Sequence, residues 1–221
     1  MMKNILHKLC FVLCLLMITG MAAQKTKKVF LDENDSVITR RVFKKKYKKA
    51  NAKMLDLLIV DTDSLKVWKL FWREHQGVLN AVALEQLKKY LQKLSGKEIP
   101  EANYVVVNYY PGIDRCNKSD YTSFRLEMLE GYETAVDILG TTSQFYIHER
   151  DADSPFETEK NRSLKDQTNL FKHVFFPYPF PCDSYVVMHP DGRYIKYYGE
   201  HHLQTVLDIL QADWDQDFFW E

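Results

Sequence analysis

Residues 179–199 carry the sequence PFPCDSYVVMHPDGRYIKYYG, which decides the fold. Residues 185–188 (YVVM) are mostly β-branched and apolar, as in a buried strand, and residues 193–198 (RYIKYY) predict a second strand. Residues 189–192 (HPDG) between them have the composition of a hairpin turn. Residues 203–210 (LQTVLDIL) then predict a closing helix. The C-terminal part of the chain is therefore expected to form an antiparallel ββα unit.

A parallel crossover is predicted upstream of this unit. Residues 104–107 (YVVV) form a continuous apolar run, typical of a strand buried on both faces, which stops at Pro111-Gly112. A helix is predicted within residues 119–139, a strand at 144–148 (QFYIH) and a short helix at 165–175. The order from residue 104 is then β-α-β-α-β-β-α, in which crossovers are right-handed. This order predicts the α/β class, with a four-stranded mixed sheet and helices on both sides.

The N-terminal part is predicted to be a small β-rich extension over residues 24–80, before a domain over residues 81–221. Residues 28–43 predict a hairpin that leads into a helix, and residues 55–72 predict a second hairpin around the turn-forming DTDS. Residues 80–96 (NAVALEQLKKYLQKLSG) predict a helix with Asn80 as its N-cap and Gly96 at its end.

A basic run, RRVFKKKYKK, lies at residues 40–49, within a segment (24–53) that holds 11 Lys and Arg against 3 Asp and Glu. Phe43 and Tyr47 recur at helical spacing, so the cations are predicted to form the solvated face of an amphipathic helix. A second interpretation is a basic arm that contacts anionic lipid or nucleic acid. Nucleic-acid binding has no other support in the sequence, and no nucleic-acid partner is predicted.

The first 23 residues have the three parts of a cleavable signal peptide in order. Lys3 and Lys8 form a basic region, residues 9–18 (LCFVLCLLMI) are apolar, and residues 20–23 (GMAA) offer small side chains for cleavage after Ala23. The apolar run is about half the length of a membrane-spanning helix. We therefore predict an exported protein of the periplasm or cell envelope, with no transmembrane segment after signal removal.

Two stretches resemble the thioredoxin-like envelope thiol-disulfide oxidoreductases. Residues 179–210 (PFPCDSYVVMHPDGRYIKYYGEHHLQTVLDIL) are similar to that family's final ββα unit, in which a cis-proline precedes a strand, an Asp-Gly turn and a strand ending in Gly. Residues 104–117 (YVVVNYYPGIDRCN) resemble its first buried strand and redox loop. The resemblance covers residues 81–212 and implies a thioredoxin-like mixed sheet with flanking helices. The chain departs from the family in two respects. This loop lacks Cys-x-x-Cys and carries only Cys116, and Pro181 is separated from the strand YVVM by three residues (182–184), a little more than the family usually allows.

The resemblance implies roles for three residues. Cys116 would lie where a strand gives way to a helix, whose N-terminus lowers the pKa of a thiol. Pro181 would be the family's cis-proline, with Pro177 and Pro179 as rivals for that role. Cys182 would then lie beside the redox loop, where it could form a disulfide with Cys116.

Signal removal also removes Cys10 and Cys14, which leaves Cys116 and Cys182 in a compartment that permits disulfides. A bond between them could be a redox pair or a structural cross-link, so two functions remain open. The first is a thiol-disulfide oxidoreductase that acts on protein thiols or disulfides. The second is a non-catalytic binding or structural module of the cell envelope. The histidines have no ligand spacing, so neither a metal nor a cofactor is predicted.

Overall fold

The chain divides into two compact units, Met1–Phe71 and Trp72–Glu221. The computed structural model describes residues 27–50, 55–62, 64–112, 123–152, 163–178 and 180–218. The division falls earlier than the predicted boundary between residues 80 and 81, because residues 74–78 belong to the sheet of the second unit. Within the described ranges, no helix has both the length and the apolar character needed to cross a bilayer.

The first unit is built on a three-stranded sheet. Strand β1 (Lys27–Leu31) runs parallel to β3 (Leu65–Trp72), and β2 (Leu55–Asp61) lies on the other side of β3. The adjacent β2 and β3 confirm the predicted pair over residues 55–72. The predicted first hairpin is shorter, since a single antiparallel bridge joins Leu31 to Val37 before the chain enters a helix.

Helix α1 (Arg40–Ala50) of the first unit is amphipathic, as its spacing predicts. Phe43 is buried, and its ring lies 5.2 Å from that of Phe30 and 6.4 Å from that of Tyr47. Phe30 in turn contacts the Trp68 ring of β3 at 6.2 Å. The aromatic side chains therefore hold the helix on the sheet and leave its basic residues outside.

The second unit contains a mixed sheet of six strands in the order β4-β9-β8-β5-β6-β7. Its strands are β4 (Glu74–Val78), β5 (Tyr104–Tyr110), β6 (Thr142–Glu149), β7 (Ser163–Asp166), β8 (Ser184–Met188) and β9 (Arg193–Tyr197). Strands β5, β6 and β7 are parallel, whereas β8 is antiparallel to both β5 and β9, and β4 is antiparallel to β9. The four central strands confirm the predicted thioredoxin-like mixed sheet, and β4 and β7 extend it at its two ends.

Four helices are described in the second unit: α2 (Ala81–Ser95), α3 (Ser123–Leu139), α4 (Leu170–Val174) and α5 (Leu203–Gln211). The predicted caps of α2 are confirmed, because the Asn80 side chain accepts from the Ala83 N–H (2.9 Å) and Gly96 has a φ of 68°. The helix predicted over residues 165–175 is wrong in part, since the segment begins as β7 and only residues 170–174 are helical.

Both faces of the second sheet are covered. One face forms a core with α3 and α5 that includes Val106, Val136 and Val206. The alternate strand residues Val105 and Ile147 are equally buried on the opposite face. The predicted hairpin turn between β8 and β9 is confirmed, and it fixes the position of the strands that carry the predicted site.

Candidate functional site

Strand register brings two of the predicted loops to one end of the sheet. Tyr109, near the end of β5, pairs with Ser184, the first residue of β8. Because β5 and β8 are antiparallel, the chain leaves β5 through Pro111 and Gly112 at the same end at which it enters β8 through Cys182. This arrangement is the one that a cysteine pair spanning the two loops requires.

Cys182 is disulfide-bonded and 5% exposed. Its φ of 73° lies in the left-handed region, which is uncommon for a residue with a side chain. Cys116, the predicted partner, lies outside the described residues, as do the two cysteines of the predicted signal peptide. The pairing of Cys116 with Cys182 therefore stays a prediction.

Pro181 precedes Cys182 as expected, but it is not a cis-proline. No peptide bond among the described residues is cis, so the bonds before Pro177 and Pro181 are both trans. Pro179, the third candidate, lies outside the described residues. The trans form is the ordinary state of an X-Pro bond, and the chain enters β8 here through the left-handed backbone of Cys182 instead.

A cavity of about 70 Å³ opens at the same end of the sheet. Its walls are mainly aromatic, and the Tyr109 and Phe176 rings stack with their centroids 4.8 Å apart. Glu149 and Lys172 form an ion pair in the wall. The residues around the cavity are Tyr109, Pro111, Glu149, Lys172, Phe176, Tyr178, Phe180 and Ser184. Phe180 and Ser184 lie two residues on either side of Cys182, so the cavity borders the disulfide-bearing segment.

The backbone around Cys182 is tied to the end of β9. Gly199 donates its N–H to the Ser184 hydroxyl (3.1 Å), and the Phe180 ring lies 5.4 Å from that of Tyr198. The Arg73 guanidinium lies over the Phe180 ring at 5.9 Å. These contacts hold the entry to β8 from the side of β9.

A half-buried lysine lies close to this aromatic wall. The Lys196 ammonium donates to the Phe175 carbonyl (2.6 Å), as does the Tyr198 hydroxyl (2.7 Å). Burial lowers the pKa of Lys196 to about 8, so a fraction of this side chain is neutral near neutral pH. The sequence did not predict this residue, because a lysine in a two-stranded hairpin is normally solvated.

A second polar cluster was also missed from the sequence, on the opposite face of the same strands. Asn108 is almost fully buried, and its side-chain amide lies beside the Tyr132 hydroxyl of α3. Glu133 is 1% exposed and lies beside Tyr146, whose pKa is raised, chiefly by burial. The one available signal was Asn108 itself, the only non-aromatic polar residue in the run YVVVNYY.

The described residues do not group three or more His, Cys, Asp or Glu side chains in a way that could hold a metal ion.

No protein-family model and no curated protein matches the sequence. The chain is similar to the pneumococcal exposed lipoprotein thioredoxin from Streptococcus pneumoniae strain TIGR4, at 10% identity and a TM-score of 0.37. The match covers 50% of this chain and 85% of that protein. The thioredoxin-like arrangement of the second unit is given by the order and direction of its strands, and not by this similarity.

Proposed function

We propose that the protein is an exported thiol-disulfide oxidoreductase in which Cys116 and Cys182 form the redox pair. The observation that carries the proposal is the pairing of Tyr109 with Ser184, which directs the loop after β5 and the disulfide-bonded Cys182 to the same end of the sheet. A pair that spans two loops would replace the Cys-x-x-Cys of the resembling family.

In the reduced protein the Cys116 thiolate attacks one sulfur of a substrate disulfide. A mixed disulfide forms, and the other substrate sulfur leaves as a thiolate that takes up a proton. The Cys182 thiolate then attacks the Cys116 sulfur and expels the second substrate thiolate. Two electrons thereby pass from the cysteine pair to the substrate, and the Cys116–Cys182 bond is formed. A dithiol in the same compartment must reduce this bond for another cycle.

The burial of Cys182 fits the second step better than the first. An attacking thiol must reach a disulfide on another molecule, whereas a resolving thiol needs to reach only the mixed disulfide within its own protein. Cys182 is 5% exposed, so it is assigned the resolving role and Cys116 the attacking role.

The aromatic cavity supports a polypeptide as the substrate. It borders the Cys182 segment and is large enough for part of one side chain, but not for a cofactor-sized ligand. Tyr109, Phe176 and Phe180 would contact an apolar residue close to the substrate cysteine. The partners are then proteins with accessible thiols or disulfides.

Trapping of mixed disulfides tests the proposal. Cys182→Ser should accumulate reductant-sensitive adducts through Cys116, because the resolving thiol is missing. Cys116→Ser should form none and should lose the ability to accelerate insulin reduction by dithiothreitol. The double variant serves as the control for non-specific adducts. If Cys182→Ser forms no adducts and Cys116→Ser retains full activity, the redox assignment is wrong.

A second candidate function is a non-catalytic binding module in which the same disulfide is a structural cross-link. The trans bond before Pro181 and the burial of Cys182 favour it. A bond between the two cysteines would close a loop of 65 intervening residues (182 − 116 − 1), which stabilises a fold by about 2–4 kcal/mol. The reduction potential of a structural disulfide would lie below roughly −300 mV, whereas a catalytic pair would have a higher, more oxidising potential. Equilibration with glutathione and dithiothreitol buffers measures this reduction potential and so distinguishes the two candidate functions.

A further inference from the structure

We propose that the exposed face of α1 binds anionic lipid headgroups at a membrane surface. The helix sequence RRVFKKKYKKA contains seven cationic residues and no acidic one. Six of the seven are exposed, and among the described residues none of these six has an ion-pair partner. The six are Arg40, Arg41, Lys44, Lys45, Lys48 and Lys49.

The orientation of the helix is fixed by the unit that carries it. Phe43 is 3% exposed and packs against Phe30, so the apolar side of α1 cannot turn outward without unpacking the core of the unit. The seventh cation, Lys46, donates to Asp32 (3.1 Å) and Glu33 (2.9 Å) on the preceding turn. The acidic groups close to the helix are thus already paired, and the other six charges face solvent.

The charge density of this face suits an anionic surface. A helix of this length spans roughly 16 Å, so six cations lie within about two Debye lengths at physiological ionic strength. Basic clusters on amphipathic helices bind anionic phospholipids, with roughly 1 kcal/mol for each cation near the surface. Since Phe43 is buried and Tyr47 stacks on it, binding should be electrostatic, with Val42 as the one exposed large apolar side chain that the structure describes in this helix.

One observation and the proposed export favour lipid over nucleic acid as the polyanion. The Phe43 ring is buried and the half-buried Tyr47 ring stacks on it, so the basic face offers no fully exposed ring on which a base could stack. The choice of lipid also rests on the proposed export. An exported protein would meet membranes and would be separated from nucleic acid. Binding to vesicles involves no cysteine, so its failure would leave the redox proposal unaffected.

Vesicle sedimentation tests the inference. The protein is purified from expressing cells and used without truncation. Phosphatidylcholine vesicles that contain phosphatidylglycerol should bind it, and pure phosphatidylcholine vesicles should not. Binding should weaken steeply as salt is raised. Neutralising three cations of one stripe should weaken it on the order of 100-fold, since each contributes roughly a factor of five. The variant carries Arg41→Gln, Lys44→Gln and Lys48→Gln.

A matched control removes the same charge from the second unit. It carries Lys89→Gln, Lys93→Gln and Lys165→Gln, all at exposed positions. The control should bind as the unaltered protein does, and circular dichroism should show that both variants are folded. The inference is overturned if the two variants weaken equally, or if neutral vesicles bind as well as anionic ones. It is also overturned if duplex DNA, at equal phosphate concentration, displaces the protein from the vesicles.

Discussion

Asp166 connects three elements of the second unit, and its replacement should destabilise that unit measurably. The side chain is fully buried at the end of β7. One carboxylate oxygen accepts from the Tyr90 hydroxyl of α2 (2.8 Å) and the Leu170 N–H (2.9 Å), and the other accepts from the Phe171 N–H (2.8 Å). The carboxylate therefore joins α2 to the start of α4, which leads into the aromatic wall of the cavity.

The cost of Asp166→Asn can be worked out from these bonds. The amide has one accepting oxygen, which can keep Tyr90 and Leu170, but its NH₂ group then faces the Phe171 N–H donor. Losing a bond to a charged group and leaving a buried donor unsatisfied costs about 2–3 kcal/mol. Tyr90→Phe removes the bond to Asp166 and the long one that the exposed Thr168 N–H donates to the Tyr90 hydroxyl (3.4 Å). It leaves the Leu170 and Phe171 N–H groups satisfied, so it should cost about 1–2 kcal/mol.

Urea unfolding followed by circular dichroism gives both values, and hydrogen exchange reports on the same bonds locally. The Phe171 amide should exchange faster in Asp166→Asn than in Tyr90→Phe. A loss of less than about 0.5 kcal/mol in Asp166→Asn would refute the reasoning, because surface substitutions alone produce changes of that size. Equal exchange of the Phe171 amide in the two variants would also refute it.

Three further outcomes are expected. Gly192→Ala should cost more than about 2 kcal/mol in urea unfolding, because a Cβ would lie 2.3 Å from the Leu79 carbonyl oxygen at a φ of 99°. Gly140→Ala is its control, since φ is similarly positive (69°) but no atom lies within 4 Å, and it should cost only about 1 kcal/mol. Lys196 has a folded-state pKa of about 8 against 10.5 for the free side chain. Between these values the unfolded chain holds more protons than the folded one, so stability should rise with pH by at most about 1.4 kcal/mol per unit. Lys196→Met should abolish that rise. The free energy of unfolding of both proteins is measured by urea unfolding from pH 7 to 9.5, and a constant difference between them over this range would contradict the assignment. Mass spectrometry of the protein purified from expressing cells should find Gln24 as its first residue, and an intact N-terminus would exclude the predicted signal cleavage.

The long apolar strands could be predicted from the sequence, but the strands at the two ends of the sheet could not. Strands β5 and β8 are buried on both faces, so they appear as continuous runs of β-branched and aromatic residues. Strand β4 has the sequence EHQGV and β7 has SLKD, and neither shows alternation. A strand at the end of a sheet pairs on one side only and is held by its neighbour, so its own residues carry little signal.

The candidate site was predictable in its topology and not in its detail. The predicted order of strands was enough to expect that the ends of β5 and β8 meet. The cis bond proposed for Pro181 came from the family resemblance, and the structure has it trans. Asp166 and Lys196 acquire their environments from residues far away in the chain, and single-residue patterns do not report such contacts.

The position of β4 has a consequence for anyone who wishes to study the second unit in isolation. A fragment that begins at residue 81, where the sequence alone suggests cutting, would remove β4, which is one of the two strands that pair with β9. It would also remove the Arg73 carbonyl that accepts the Tyr198 N–H (2.9 Å). The backbone N–H and C=O groups of β9 that bond to β4 would then be exposed. They could pair with strands of other molecules, and such fragments tend to aggregate. Starting the fragment at Trp72 keeps those groups paired with β4.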